Sequence, residues 1–453
     1  MNILSEEQIT QLAPDVTSLK SGKDLGNEKK WHSFAYNERA LWGEVQGSGK
    51  DPYRTQVDRQ SIAFKCSCPS RKFPCKHGLG LLFLFSRKTA LFSQESNEPT
   101  WVKEWIDKRI ETAKTEVNIA AADTATAIDT KKAAKQAKEK EKRGADRLAK
   151  VTSGVAELER WLKDLLRTGL LSIPEKDPNF WNKTAARMVD AQASGLGNMV
   201  KEFSEIDYYS GNRWHDEVLQ QTAKIHLLLE AFKRLDTLPE NLQEDVKNLI
   251  GWSKAQKELL ESPDAPAIKD NWLVLGRQTE TQEDLTVQRN WLYGTQTNRY
   301  ALILNFAYKN APISTMLVPA AMIEAELIFY PSVFPLRAVI KSHDSTSIPL
   351  SIPPAFKHWE ATQKQYAGII SSYPWADYIP MFVEQLSLFF HQTQWLLKDQ
   401  QDEYMEINKK FDELKIYNLL AFSGGKPLDI CLIRIKNTVL PIGICQNNSY
   451  KIL

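Results

Sequence analysis

Four residues with metal-ligand chemistry lie close together near the start of the chain: Cys66, Cys68, Cys75 and His77. Zinc prefers four tetrahedral ligands, and three thiolates with one imidazole supply a complete set. Residues i and i+2 of an extended strand point to the same side, so Cys66 and Cys68 can face one ion. Cys75 and His77 repeat this spacing after a short loop bounded by two prolines. The pattern predicts a structural Zn²⁺ site in which no ligand position remains for an activated water.

Other uses of the cysteines fit the sequence less well. A disulfide between Cys66 and Cys68 would be strained. Disulfide frameworks belong mainly to small secreted domains. A redox Cys-X-X-Cys motif normally accompanies a βαβ pattern, which is absent here. Cys431 and Cys445 lie in apolar C-terminal segments, and we expect them to be small buried hydrophobic residues.

The remaining histidines do not form a catalytic pattern. They are scattered without a paired nucleophile and without the His-Glu-X-X-His spacing of a metalloprotease. The Gly-Ser-Gly segment at 47–49 lacks the Gly-Lys-Ser/Thr end of a P-loop and favours a hairpin turn. We therefore expect that the protein is not an enzyme. The histidines concerned are His32, His215, His226, His343, His358 and His391.

Positive charge is concentrated around the cysteines. The whole chain has a formal net charge of +2, whereas residues 50–90 carry nine lysines and arginines against two acids. Such a patch matches the electrostatic footprint of phosphate binding. Alternatively, the basic residues balance the zinc-thiolate charge and form a solvated surface. The candidate nucleic-acid contacts are Lys65, Arg71, Lys72 and Lys76, with Arg54, Arg59, Arg87 and Lys88 nearby.

The order Cys-X-Cys, short loop, Cys-X-His resembles the SWIM zinc finger family, and CSCPSRKFPCKHGLGLLFLF is similar to its bacterial members. The motif covers about residues 45–90. Weaker similarity to longer bacterial SWIM-containing proteins continues in AARMVDAQASGLG and ELIFYPSVFPLRAVI. The resemblance implies a zinc module that binds DNA or protein, and an association with MoxR-type AAA+ ATPases and von Willebrand factor A proteins.

The rest of the chain predicts three further parts. An Ala/Lys-rich stretch without aromatic residues indicates a linker or an exposed helix, and a helical period follows it. From Trp272, segments such as RYALILNFAYK predict strands, with helices expected again over 356–415. The prediction is an α+β multidomain protein with an N-terminal ββα-type zinc finger module, a helical middle domain and a strand-rich C-terminal domain. The predicted boundaries are 1–111 for the N-terminal domain, 112–152 for the linker, 153–265 for the helical domain and 266–453 for the mixed strand/helix domain.

Location and function follow as expectations. The first residues lack the basic head and apolar stretch of a signal peptide, and the apolar run Gly78–Phe85 is too short to span a bilayer. We expect a cytoplasmic protein without membrane contact. The expected function is that of a zinc-binding SWIM-type interaction protein that binds DNA through the basic finger. The alternative is a protein adaptor that works with a MoxR-type ATPase and a von Willebrand factor A partner. The net acidic remainder of the chain favours the adaptor.

Overall fold

The computed structural model describes most of the chain and confirms the mixed α+β class. It contains an N-terminal α+β module, a helical middle region, a five-stranded closed barrel and a six-stranded sheet. None of the described helices is long and apolar enough to cross a lipid bilayer. The described residues are 4–47, 51–60, 62–70, 72–109, 130–209, 214–262, 266–282, 284–309, 313, 316–344, 350–446 and 449–453, with backbone alone at 130–143, 282 and 344.

The N-terminal module wraps a sheet and two short helices around one buried helix, α3. Every α3 residue from His77 to Phe85 is buried, which explains why this stretch is apolar on all sides. Side chains of Ser5 and Asp15 cap the first two helices. The strands follow the order β4-β3-β2-β1-β5. The elements are α1 Glu6–Leu12, α2 Val16–Leu25, β1 Trp31–Tyr36, β2 Ala40–Val45, β3 Tyr53–Asp58, β4 Phe64–Cys66, α3 Lys76–Lys88, β5 Ser93–Gln94 and α4, described over residues 100–109.

Glycines allow α2 to pack directly on the first turns of α3. A Cβ at Gly22 would lie 2.7 Å from the Cβ of Leu79, and a Cβ at Gly80 would lie 2.5 Å from the Cβ of Leu25. Neither position has room for a side chain. The close approach fixes the start of α3, which carries Cys75 and His77.

The middle region is a bundle of helices with its own apolar core. The rings of Trp181 and Phe203 stack in this core with centroids 5.0 Å apart. Helix α5 spans the predicted boundary at 152/153, and Val151 is already part of the bundle core. The helices are α5 Thr130–Arg167, α6 Pro178–Asp190, α7 Ser194–Lys201, α8 Trp214–Lys233, α9 Glu240–Ile250 and α10 Gln256–Leu260.

A closed barrel follows the bundle. Its strands run in the order β10-β8-β7-β6-β9, and Trp272, Leu292 and Leu327 are fully buried in it. Residues from the other face of the barrel strands, including Trp291, share a second core with the C-terminal sheet. The strands are β6 Ala267–Gln282, β7 Leu285–Gly294, β8 Arg299–Tyr308, β9 Met322–Phe329 and β10 Arg337–Asp344.

The C-terminal sheet corrects the expectation of helices over 356–415. Only α11 and the start of α12 are helical there, and three strands lie between them. Consecutive residues of β11 from Ile379 to Val383 are buried, so both faces of the strand are covered there, and such an apolar run fits a buried strand as well as a buried helix. The elements are α11 Trp359–Ser372, β11 Ile379–His391, β12 Gln394–Lys398, β13 Tyr404–Ile407, α12 Glu413–Ser423, β14 Leu428–Ile435, β15 Thr438–Gln446 and β16 Ser449–Ile452.

Specific contacts join these parts. Trp375 lies in the bundle core, and its indole Nε1 donates to the carbonyl of Lys224 over 2.9 Å. The Lys224 ammonium lies 2.8 Å from Asp377. On the other side, Met316 and Val318 contribute to the core of the N-terminal module. The N-terminal module and the bundle therefore both pack on the strand-rich C-terminal part.

Candidate metal centre

The sheet positions the first two cysteines. Cys66 is the last residue of β4 and lies opposite Thr55 of the antiparallel strand β3. The pairing continues past the strand end, because Ser67 N donates to the Arg54 carbonyl at 3.0 Å and the Ser67 hydroxyl accepts from Arg54 N at 2.9 Å. Cys68 lies in the bend that follows this anchored segment, beyond the end of the strand on which the i, i+2 argument relied, and its side chain still joins the cluster.

The start of α3 positions the other two residues. Cys75 is the N-cap, its carbonyl accepts from Leu79 N at 3.1 Å, and His77 lies in the first helical turn. A Cβ at Gly78 would lie 2.8 Å from the ring of Phe64, so the helix start lies tightly against β4. The rings of Tyr53 and His77 are 5.1 Å apart. The imidazole is thus held between the sheet and the helix.

The four side chains converge with the dimensions of a zinc site. Their ligand atoms all lie within 4.8 Å of one another. His77 Nδ1 is 3.7 Å from Cys66 Sγ and 4.0 Å from Cys75 Sγ. Zn–S bonds of about 2.3 Å in a tetrahedron place neighbouring ligand atoms about 3.8 Å apart. The site therefore suits Zn²⁺ after small side-chain adjustments.

The chemistry of the donor set also fits a cation. A hydrogen bond with Cys66 lowers the pKa of Cys68, whereas hydrogen bonds with Cys66 and Cys68 raise the pKa of Cys75. The pKa of Cys66 is raised, chiefly by its hydrogen bond with Cys68, and the neighbouring Thr55 hydroxyl acts in the opposite direction. One thiolate in the cluster thus opposes ionisation of the others. A divalent cation removes this conflict because it binds the thiolate form of each cysteine.

Several basic side chains around the site pair with acids of the same module. Lys72 Nζ lies 2.8 Å from Asp15 Oδ2, and this hydrogen bond lowers the pKa of Asp15. Arg87 pairs with Glu6 through two contacts of 2.9 and 2.7 Å. Part of the local positive charge is therefore balanced within the module. Two further pairs are Arg54 with Glu44 at 3.2 Å and Lys88 with Glu28 at 2.6 Å.

The candidate nucleic-acid contacts consequently differ from one another. Lys65 and Lys76 are exposed and form no ion pair among the described residues. Lys72 has its carboxylate partner, and Arg71 lies outside the described residues. Arg59 places its guanidinium over the rings of Tyr36 and Phe85. Sequence reasoning missed these acidic partners because Asp15, Glu6 and Glu28 precede the finger by many residues, and no local spacing signals such contacts.

The other described histidines lie outside the metal site. In the described part of the chain, Cys66, Cys68, Cys75 and His77 are the one group of three or more potential ligands close enough to hold a metal ion. His32 contacts Gln46 at 2.8 Å on the first strand, and His358 is the N-cap residue of α11. Cys431 is buried and Cys445 is partly buried in the C-terminal sheet.

Two regions of the chain match known families. Residues 65–84 match the SWIM zinc finger, and residues 146–250 match the SWIM-associated four-helix bundle domain. No curated protein and no solved structure matches the chain. The first match contains all four ligands, and the second runs from the middle of α5 to the end of α9. The N-terminal site is thus that of a SWIM zinc finger, as the sequence resemblance predicted.

Proposed function

We propose that this chain, which carries a SWIM zinc finger and the associated four-helix bundle, is a non-catalytic adaptor that binds protein partners. In this proposal zinc holds the N-terminal module in shape, and the other modules contribute the surfaces for partners. The observation that carries it is the pairing of Lys72, Arg87, Arg54 and Lys88 with carboxylates of their own module.

The geometry supports a structural role for the metal. When bound, zinc cross-links the end of β4 to the first turn of α3 through four protein ligands. Cys75 and His77 are almost completely buried, which restricts access to the ion. A structural zinc site contributes about 10–16 kcal/mol to the folding of small zinc-finger peptides. Four protein ligands leave the ion without an open coordination position for a substrate or an activated water.

The charge distribution supports protein partners over nucleic acid. DNA binding requires lysines and arginines that can neutralise phosphates. In the finger, Lys72 links the Cys-rich loop to α2, and Arg87 links α3 to α1. A phosphate would have to displace the carboxylates of Asp15 and Glu6 from these pairs. Lys72 and Arg87 are thus paired within the module and less available to phosphates than free side chains would be.

The packing of the modules supports an adaptor as well. Trp375 inserts into the bundle, and Met316 inserts into the N-terminal module, so that both are held against one strand-rich part. Such a platform can present several surfaces at fixed distances. The partners proposed from the family resemblance are a MoxR-type AAA+ ATPase and a von Willebrand factor A protein.

The experiment mixes the purified full-length chain with each proposed partner from the same genome and measures complex formation by size-exclusion chromatography with light scattering. We expect a stable complex with at least one partner, unchanged after nuclease treatment. The complex should also survive Lys65→Gln/Lys76→Gln, as it should in the matched control Lys183→Gln/Lys364→Gln. If the chain forms no complex with either partner, the adaptor proposal is contradicted.

DNA binding through the finger is the second candidate, because Lys65 and Lys76 are exposed and unpaired among the described residues on either side of the Cys-rich loop. Lys72 and Arg71 complete the predicted contact set. A plot of the logarithm of the duplex binding constant against the logarithm of the salt concentration should then have a slope of about −0.9 per phosphate contact. The slope should become shallower in Lys65→Gln/Lys76→Gln and remain unchanged in Lys183→Gln/Lys364→Gln. No duplex binding at low salt would exclude this candidate.

A further inference from the structure

Thr55 is a polar residue in the interior of the N-terminal module. It lies in β3 and is completely buried. Its hydroxyl oxygen is shielded from solvent and has no hydrogen-bond partner among the described residues. Buried polar groups usually have partners, so an orphaned hydroxyl calls for an explanation. The next residue, Gln56, is also buried, but its amide donates to the carbonyl of Trp101 at 3.3 Å.

The register of the sheet places Thr55 beside a metal ligand. Thr55 and Cys66 are directly opposite each other on the antiparallel strands β3 and β4. Directly opposite residues project to the same face, with their Cβ atoms about 4.5–5.5 Å apart. At this distance a threonine hydroxyl can approach the sulfur across the strands.

We propose that Thr55 is a positioning residue of the zinc centre, whose hydroxyl donates a hydrogen bond to the Cys66 thiolate when the metal is bound. A thiol is a weak acceptor, whereas a thiolate is negatively charged and accepts strongly. Three thiolates around Zn²⁺ carry one excess negative charge in a mostly buried site. A donor aimed at one sulfur stabilises that charge and orients the ligand. This inference rests on zinc binding, not on the identity of the partners.

A purely steric role for Thr55 makes the opposite prediction. Threonine is favoured in strands because it is branched at Cβ, and valine has the same branching. If the hydroxyl has no function, replacing it with a methyl group removes an unsatisfied polar atom from the core. Zinc affinity would then stay the same or increase in Thr55→Val. The two roles are therefore separated by the sign of one measurement.

The experiment measures zinc affinity of the full chain by competition with a chromophoric chelator. Outer-shell partners typically change metal affinity by 10–100-fold, and we expect a loss of this size in Thr55→Val. Thr55→Ser keeps the hydroxyl and should bind zinc nearly as tightly as the wild type. Thr222→Val is the matched control, because the Thr222 hydroxyl in the bundle is also buried and unpartnered in the described structure. Its zinc affinity should not change.

Substitution with Co²⁺ provides a second readout. The sulfur-to-cobalt charge-transfer absorption reports the electron density on the thiolates, and we expect it to shift in Thr55→Val but not in Thr222→Val. Zinc binding within twofold of wild type in Thr55→Val would overturn the proposal. Equal losses in Thr55→Val and Thr55→Ser would also overturn it, because packing rather than the hydroxyl would then be responsible. A wild-type chain that binds no zinc would contradict both this inference and the structural zinc of the proposed function, whereas unchanged zinc binding in Thr55→Val would overturn this inference alone.

Discussion

His77 Nδ1 lies 3.7 Å from Cys66 Sγ, although the two residues belong to different elements of the N-terminal module. Cys66 ends strand β4, and His77 lies in the first turn of the buried helix α3. A metal ion held by both residues ties the sheet to the helix that fills the module core. Metal binding and folding of this module are therefore coupled.

Loss of one ligand should unfold the N-terminal module alone. Cys68→Ser replaces a soft thiolate with a hydroxyl, which zinc does not bind comparably. We expect the amides of β1–β4 and α3 to lose protection in hydrogen exchange, while the bundle helices α5–α8 keep theirs because they have a separate core. Cys445→Ser, outside the site, is the control and should behave as wild type. Unchanged protection of α3 in Cys68→Ser would refute the coupling.

Trp375 should be a principal contact between the bundle and the C-terminal part. It packs in the bundle core and donates to the Lys224 carbonyl. Replacement of a buried tryptophan by alanine costs about 3–5 kcal/mol. We expect a loss of this size in the free energy of urea unfolding for Trp375→Ala. The half-buried Trp395, which contacts Phe390 at the tip of β11, serves as control, and Trp395→Ala should cost clearly less. Equal losses would contradict the assigned role.

The contact between α2 and α3 should not tolerate a side chain. Gly80→Ala places a Cβ 2.5 Å from that of Leu25, and overpacking of this kind costs about 1–3 kcal/mol. In contrast, a Cβ at Gly368 of α11 would have no neighbour within 4 Å among the described residues. Gly368→Ala should therefore stabilise the protein by about 0.5–1 kcal/mol through helix propensity. Thermal unfolding of the two variants tests this, and stabilisation by both would show that α2 does not pack closely on α3.

Asp245 should make stability depend on pH in a defined direction. Burial raises the pKa of Asp245, although its carboxylate accepts a hydrogen bond from Val333 N at 2.8 Å. The native state therefore takes up a proton at higher pH than the unfolded state. At neutral pH the buried carboxylate is charged, and the cost of burying this charge lowers the free energy of unfolding. That cost disappears as the pH falls through the raised native pKa towards the unfolded value of about 3.9.

Asp245→Asn keeps an acceptor for Val333 and removes the charge. We expect the variant to be more stable than wild type at pH 7, with a difference that shrinks as the pH approaches 4. Urea unfolding of both proteins across this range measures the difference directly, and effects common to both cancel. A difference that stays constant with pH would show that burial does not oppose ionisation of Asp245.

The zinc ligands could be predicted from sequence because their signal is local. Two pairs with i, i+2 spacing, separated by a short loop, define the donor set without knowledge of the fold. The burial of α3 was equally evident from its uninterrupted apolar residues. The basic patch was not predictable in the same way. The partner of Lys72 is Asp15, in a separate helix, and only tertiary packing brings the two together.

Two other features could not be predicted from the sequence. These are the register in which strands pair and the choice between strand and helix in an apolar segment. The segment of β11 has buried apolar residues on both faces, in a core shared with the barrel strands, and this pattern also fits a buried helix. Thr55 drew no attention in the sequence because its position opposite Cys66 depends on the pairing of β3 with β4. The insertion of Trp375 into the bundle has no local sequence signal either.

The central claim is that zinc is held by Cys66, Cys68, Cys75 and His77, and X-ray absorption at the zinc edge tests it most directly. Metal analysis of the purified chain should first give one zinc per chain. The absorption spectrum should then show three sulfur ligands at about 2.3 Å and one nitrogen ligand at about 2.0–2.1 Å. Clearly less than one zinc per chain after gentle purification, or an oxygen ligand in place of a sulfur, would contradict the account.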